Sequence, residues 1–302
     1  MPIRITDSST AARHAAQVGA ARQRLGEAQG RVASGRRIDR PSDDPAGAAA
    51  VLRLRTSQTE VEGFARSASE VGSALLVSDG AVDGYEQLID RVRTLLGQAV
   101  SDVANAATKE AAATQIEGAR AALIQLANQQ SGDRYVFGGT NQGAPPFAAD
   151  GTFQGAGARP QLVQIEPGGA PVAAGVVAGD IFTDEAGDIV GALADAAAAV
   201  RGTGDPAADR VGVRAAIDRL RGFAERASVA RVRVGTDLQA AEAAAERLGR
   251  DRFSLEERAQ SIESADLAES ALALAESSRA IEAALQSIDR VTGRRSLLDI
   301  IG

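Results

Sequence analysis

The strongest regularity in the chain is an apolar row that returns every seven residues. Leu54, Val61, Ala68, Leu75, Val82, Ile89, Leu96 and Val103 form it, and a companion row follows three residues later at Ser57, Phe64, Val71, Ser78, Tyr85, Val92 and Ala99. Such spacing puts both rows on one helix face and defines an a/d seam over about seven heptads. The helix is predicted to start at Asp44-Pro45: Asp accepts the free N–H groups of the first turn, and Pro fits the first helical position. At 1.5 Å per residue, 45–104 would extend roughly 90 Å, which is not the core element of an ordinary enzyme.

The same Asp-Pro device recurs at Asp205-Pro206. After it, Val213, Ile217, Leu220, Ala224, Ala227, Arg231, Val234, Leu238, Ala241, Ala245 and Leu248 step by four and three, and Arg252, Leu255, Ala259 and Ile262 continue the row. The row then slips by one residue to Leu267, Ala271, Leu274, Ser278, Ile281, Leu285 and Ile288. Asp266 and Glu269 stand at the slip with capping-box spacing, which reads as a joint between two helices or a skip in one rod. This last helix is expected to end near Thr292-Gly293.

Weaker patterns flank these rods. Ala11, Ala15, Val18, Arg22, Leu25, Gln29 and Val32 repeat at helical spacing up to Gly35, but half the stripe is Ala or polar, so an isolated helix there is marginal. A helix over Lys109–Gln130, capped by Thr108, presents Ile116, Ala119, Leu123 and Leu126. Between 134 and 187 Gly and Pro cluster around short apolar runs at 135–137, 151–153, 161–165 and 180–182, which read as strands and turns. A helix over Ile189–Arg201 closes this insert. The fold class is therefore mainly α with a small β insert: long antiparallel heptad helices, termini paired at one end, a β-rich tip at the other. The expected domains are 1–43 with 264–302, 44–133 with 205–263, and 134–204.

Composition narrows the chemistry. In 302 residues there is no Cys or Trp, one His and nine Phe or Tyr. A disulfide framework, a thiolate nucleophile and Cys-ligated zinc are excluded, and a single His14 argues against a Ser-His-Asp triad or a multi-histidine metal site. Small side chains suit helices packed closely side by side. No run of about 18 apolar residues occurs, so no membrane span is predicted, and Met1–Thr6 has neither the apolar region nor the cleavage site of a secretory signal. The formal charge is −7. It is uneven: 1–55 carry ten basic and five acidic residues, 250–302 seven basic and ten acidic, and 134–200 two basic and seven acidic. Packing the two terminal helices together would pair opposite charges, a modest gain at a surface.

The motifs mostly favour plain structural readings. Arg36, Arg37, Arg40, Arg53 and Arg55 lack interleaved aromatics in an acidic chain, so subunit contacts outweigh nucleic-acid binding. Ser42-Asp43-Asp44 lacks EF-hand spacing and reads as a turn and helix cap. Gly138–Gly143 lacks the Lys-Ser/Thr ending of a phosphate loop and reads as a turn. No cofactor, metal site or catalytic group is predicted.

Several segments together resemble the bacterial flagellin superfamily and, within it, the hook-associated protein 3 family of hook–filament junction subunits. Arg31-Val32-Ala33-Ser34-Gly35-Arg36-Arg37-Ile38 is similar to the superfamily's S-G-x-R-I signature, and Pro41-Ser42-Asp43-Asp44-Pro45 to the junction family's form of the following loop. Arg134–Thr140 with Pro145-Pro146-Phe147, Gly151–Gly155, Val234-Gly235-Thr236, Ser261–Glu269 and Ser296–Asp299 extend the likeness over nearly the whole chain. The resemblance implies a non-enzymatic subunit exported through the flagellar type III apparatus. It would form a ring with copies of itself between hook-associated protein 1 and flagellin, and be held before export by a chaperone. The alternatives are a small flagellin, which would form the filament itself, and a coiled-coil signalling module, which would need a membrane span or sensory domain. On this reading the assembly interface comprises Arg36, Arg37, Ile38, Pro41, Asp43, Asp44, Asp266, Leu267, Leu285, Leu297 and Leu298. The terminal helices are expected to order on assembly.

Overall fold

The structure, a computed structural model, describes the backbone of residues 3–99 and 105–298, with side chains at residue 12 and throughout 15–99 and 105–287. The helices are α1 (Ile3–Ser34), α2 (Pro45–Ala99), α3 (Ala106–Ala127), α4 (Ala178–Phe182), α5 (Ile189–Arg201), α6 (Pro206–Glu263) and α7 (Leu267–Leu298). Between them lie six two-residue strands: β1 (Gln130–Ser131), β2 (Arg134–Tyr135), β3 (Leu162–Val163), β4 (Val172–Ala173), β5 (Thr183–Asp184) and β6 (Gly187–Asp188). They join as three separate antiparallel pairs, β1–β2, β3–β4 and β5–β6. The chain divides into two compact units, residues 1–60 with 251–302, and residues 61–250.

The larger unit holds a continuous hydrophobic core. From residue 68 to residue 99 every member of both α2 heptad rows is buried, Ser78 included, as the a/d pattern requires. Ile116 and Leu123 of α3, Leu193 and Val200 of α5, and Leu220, Phe223 and Val234 of α6 join them in one cluster. The insert adds Phe137, Phe147, Ile181 and Phe182 to that cluster. The segment 134–204 thus shares its core with the long helices, because strands two residues long cannot bury a face of their own. The few aromatics concentrate here: Phe182 meets Tyr85 and Phe137 with ring centroids 5.0 Å apart, edge to face in both cases. Phe147 lies 5.2 Å from Phe153 and 5.8 Å from Phe182.

The smaller unit is thinner. Its helices α1 and α7 pack along each other, and an antiparallel bridge between Arg36 and Ser264 sets the end of α1 beside the start of α7. The two helices therefore run antiparallel. The buried side of α1 follows Val18, Ala21, Leu25, Ala28 and Val32, with Arg22 and Gln29 exposed. Alanines rather than polar members complete the expected stripe.

Other boundaries correct the sequence reading. The cap of α3 is Asn105, whose Oδ1 accepts from the Thr108 N–H at 2.8 Å, and the helix ends at Ala127 rather than Gln130. Residues 180–182 are the end of α4, not a strand; a three-residue apolar run carries no period to separate the two. Helix α7 runs through Gly293 to Leu298. The expected starts at Pro45 and Pro206 and the span Ile189–Arg201 agree with the structure. Val103 and the end of the first rod at 100–104 lie outside the described residues.

Candidate assembly interface

The superfamily-like loop after α1 folds onto the joint between α6 and α7. Helix α1 ends with the Gly35 N–H donating to the Arg31 carbonyl at 2.9 Å. Gly35 then takes φ +66°, a left-handed conformation that suits glycine and turns the chain toward the joint. Its carbonyl accepts from the Ala265 N–H at 2.9 Å, and the Arg37 N–H donates to the Glu263 carbonyl at 2.7 Å. Arg37 adds its side chain: Nη2 donates to the Ile262 carbonyl at 3.0 Å and Nη1 to Asp44 Oδ2 at 3.1 Å. The last carbonyls of α6, which have no partner within the helix, are thereby satisfied from a loop more than 200 residues earlier.

The acidic pair holds the loop itself. Asp43 Oδ2 accepts from the N–H groups of Asp39 and Arg40 at 3.1 and 2.8 Å. Asp44 Oδ1 caps α2 by accepting from the Gly47 N–H at 2.9 Å. That bond, followed by the one from Arg37, holds the Asp44 carboxyl below the usual carboxylate range. Ile38 is buried beside them. Gly47 is required by close approach: a Cβ there would stand 2.5 Å from Asp44 Oδ2 and 2.6 Å from Ile38 Cδ1. On the other side of the joint, Asp266 Oδ1 accepts from the N–H groups of Ala268 and Glu269 at 2.8 and 3.2 Å, capping α7. Arg55 reaches the carboxylate of Glu263 at 2.5 Å.

The structure thus sorts the sequence-derived interface residues. Arg37, Ile38, Asp43, Asp44 and Asp266 are engaged within the chain. Arg36, Pro41, Leu267 and Leu285 face outward, the two leucines 61% and 45% exposed. The side chains of Leu297 and Leu298 lie outside the described residues. Leu267 and Leu285 are eighteen residues apart, five full helical turns, so they share one face of α7. That face continues through the half-buried Leu274, Ser278 and Ile281. Leu52, Phe253 and Leu272 are further large apolar side chains of this unit left in water. The sequence singled out Arg55 among its arginines but not its partner Glu263, and it missed the role of Gly47, because these contacts are remote or depend on local crowding.

In the larger unit arginines act as clamps between elements. Arg201 at the end of α5 holds Glu110 and Glu117 of α3 at 3.2 and 2.8 Å. Arg219 of α6 binds Asp184 at 3.0 Å and Asp195 at 3.2 Å. Arg231 reaches Asp79, Asp83 and Glu86 of α2 at 3.1, 2.8 and 3.0 Å. Planar guanidinium forks suit such multiple contacts. Two clefts of about 510 and 630 Å³ flank the β3–β4 pair, one lined by serines of α2, the other by Val229, Arg226 and Asp237 of α6. Burial raises the carboxyl of Asp237. Among the described residues no group of three or more His, Asp or Glu side chains is placed to hold a metal ion, and no helix is long and apolar enough to cross a membrane.

Comparison with known proteins shows what the chain resembles. Residues 6–142 match the bacterial flagellin N-terminal helical region. Flagellar hook-associated protein 3 of Salmonella typhimurium is 26% identical over 134 residues, 44% of this chain and 41% of that protein. The match therefore spans less than half the length of that relative. Among solved structures, a flagellar hook-associated protein from Vibrio parahaemolyticus superposes with a TM-score of 0.68 at 12% identity, covering 74% of this chain and all of the other. FlgL of Xanthomonas campestris gives 0.61 at 15% identity, covering 68% of this chain and 99% of its own. The fold is that of these flagellar proteins.

Proposed function

We propose that the chain is a structural, non-catalytic subunit of the bacterial flagellum that joins the hook, through hook-associated protein 1, to the flagellin filament. The observation that carries this reading is a flagellin-type N-terminal helical region joined to the fold of hook-associated proteins. The antiparallel α1–α7 pair, with Leu267 and Leu285 exposed on one face, supplies an apolar surface that neighbouring subunits of a ring would cover. The loop 35–47 does not itself meet neighbours on this reading. It fixes the joint from which α7 departs, and so sets where that face points. Export through the flagellar type III apparatus and a place outside the cell follow from the same assignment, as does a chaperone that holds the chain beforehand.

A second reading, a small flagellin, draws on the 6–142 match, which is to flagellin's own helical region. Copy number separates the two. Quantitative mass spectrometry of purified flagella should find this chain at a small fixed number per hook, independent of filament length. An amount that grows with filament length would overturn the junction assignment in favour of flagellin.

A further inference from the structure

In the larger unit α2 and α6 run antiparallel. Arg231 lies against Asp79, Asp83 and Glu86, while a Cβ on Gly72 would stand 4.0 Å from that of Ala241. The buried row of α6 here is Phe223, Ala227, Ala230, Val234, Ala241 and Ala244, four of them alanine. Alanine knobs distinguish registers one heptad apart less sharply than large ones. Arg231 flanks that row, which passes through Ala227, Ala230 and Val234, 0%, 6% and 2% exposed, while the Arg231 side chain is 39% exposed.

We propose that Arg231 is a register key of the α2–α6 pair, a positioning residue beside the seam whose charge contacts favour one alignment of the two helices. The sequence of α2 makes the selection sharp. In the observed alignment the guanidinium meets three carboxylates. Slid by one heptad in one direction, it would face Gly72, Leu76 and Asp79, with a single carboxylate. Slid the other way, it would face Glu86, Asp90 and Arg93, which sets a like charge beside it. Only the observed triplet gives the cation three carboxylates, and a wrong alignment leaves it underpaired beside the seam. Charged residues that flank a helical seam are a known means of setting partner choice and orientation.

The absence of cysteine from the chain makes the alignment directly readable. The pair Gly72→Cys/Ala241→Cys reports the observed register. The pair Ala65→Cys/Ala241→Cys reports the one-heptad slip toward Gly72, because residue 65 lies about 10 Å along the helix from residue 72. Each full-length double-cysteine chain is unfolded under reducing conditions, refolded, oxidised briefly and scored by mass spectrometry. With Arg231 present, only the 72/241 bridge should form. With Arg231→Met, the 65/241 bridge should rise by about fivefold while helical circular dichroism is retained. If Arg231→Met does not regain its helical signal, the same assay is read on Asp83→Asn/Glu86→Gln, which leaves Asp79 as the one carboxylate in either register. The slipped bridge should rise there too. A variant that refolds and closes only the 72/241 bridge, in wild-type yield, would overturn the proposal. Stability loss alone would not support it, since any lost ion pair could produce that.

Discussion

Truncating the exposed leucine face of α7 tests the assembly reading at the side-chain level. Leu267 and Leu285 leave 61% and 45% of their surface in water, together about one whole leucine. Burying one leucine contributes roughly 1.5–3 kcal/mol. If neighbouring subunits cover this face, Leu267→Ala/Leu285→Ala should weaken each subunit contact by about 2 kcal/mol, or roughly 30-fold in association. The fold should lose little, because the removed atoms were largely solvated. The assay is cosedimentation of the labelled chain with isolated hooks carrying hook-associated protein 1, over a wide range of subunit concentration, beside urea unfolding of the free chain. The expected result is a half-saturation point displaced by more than a decade with a nearly unchanged urea midpoint. Half-saturation within twofold of wild type would refute the reasoning, since the face would then meet no partner.

Four further outcomes follow from the geometry. Phe182→Ala removes the ring at the centre of the aromatic cluster and should cost about 3–5 kcal/mol in urea unfolding, far more than Phe182→Leu; equal, small losses would show that the ring contacts are incidental. Gly47→Ala should push aside Asp44 and Ile38, seen as faster hydrogen exchange at the Arg37 and Ala265 amides with the larger unit unaffected; unchanged protection would mean the loop does not clamp the joint. Acid sensitivity should depend on Asp184. Its bond to Arg219 lowers its carboxyl in the fold, so its stabilisation is present above about pH 4 and is lost as pH falls through the depressed folded value. Asp184→Asn should flatten the decline in urea midpoint below pH 5, whereas Asp237, raised by burial, has the opposite sign and Asp237→Asn should help most at neutral pH. Replacing Leu297 and Leu298 by Asp should abolish cosedimentation and leave the helical signal intact; undiminished binding would exclude that end of α7 from the interface.

Much of the fold was legible because its signals are local. Asp-Pro marks two helix starts through cap and φ geometry, and bulky heptad residues such as Leu75, Val82 and Ile89 can go nowhere but a seam. Legibility fell where side chains shrink: on α1 alanine serves either face, so Ala21 and Ala28 could not be told from Arg22 and Gln29 as the buried positions. It fell again in the insert, where pairs of two-residue strands are held by aromatic packing rather than by period. The residues expected at an assembly interface divide by what they touch within the chain. That Arg37 binds the Ile262 carbonyl is a contact between distant parts of the chain, invisible to spacing. Arg231 stood in the α6 row by spacing alone, and its three carboxylate partners on α2 could not be read from that spacing.

The central claim, a subunit that couples hook to filament, is tested most directly by deleting its gene in the cell that makes it. The account predicts hooks that carry no filament and flagellin released into the medium, with filaments restored by the intact chain. Filaments of normal length on the hooks of the deletion strain would contradict it.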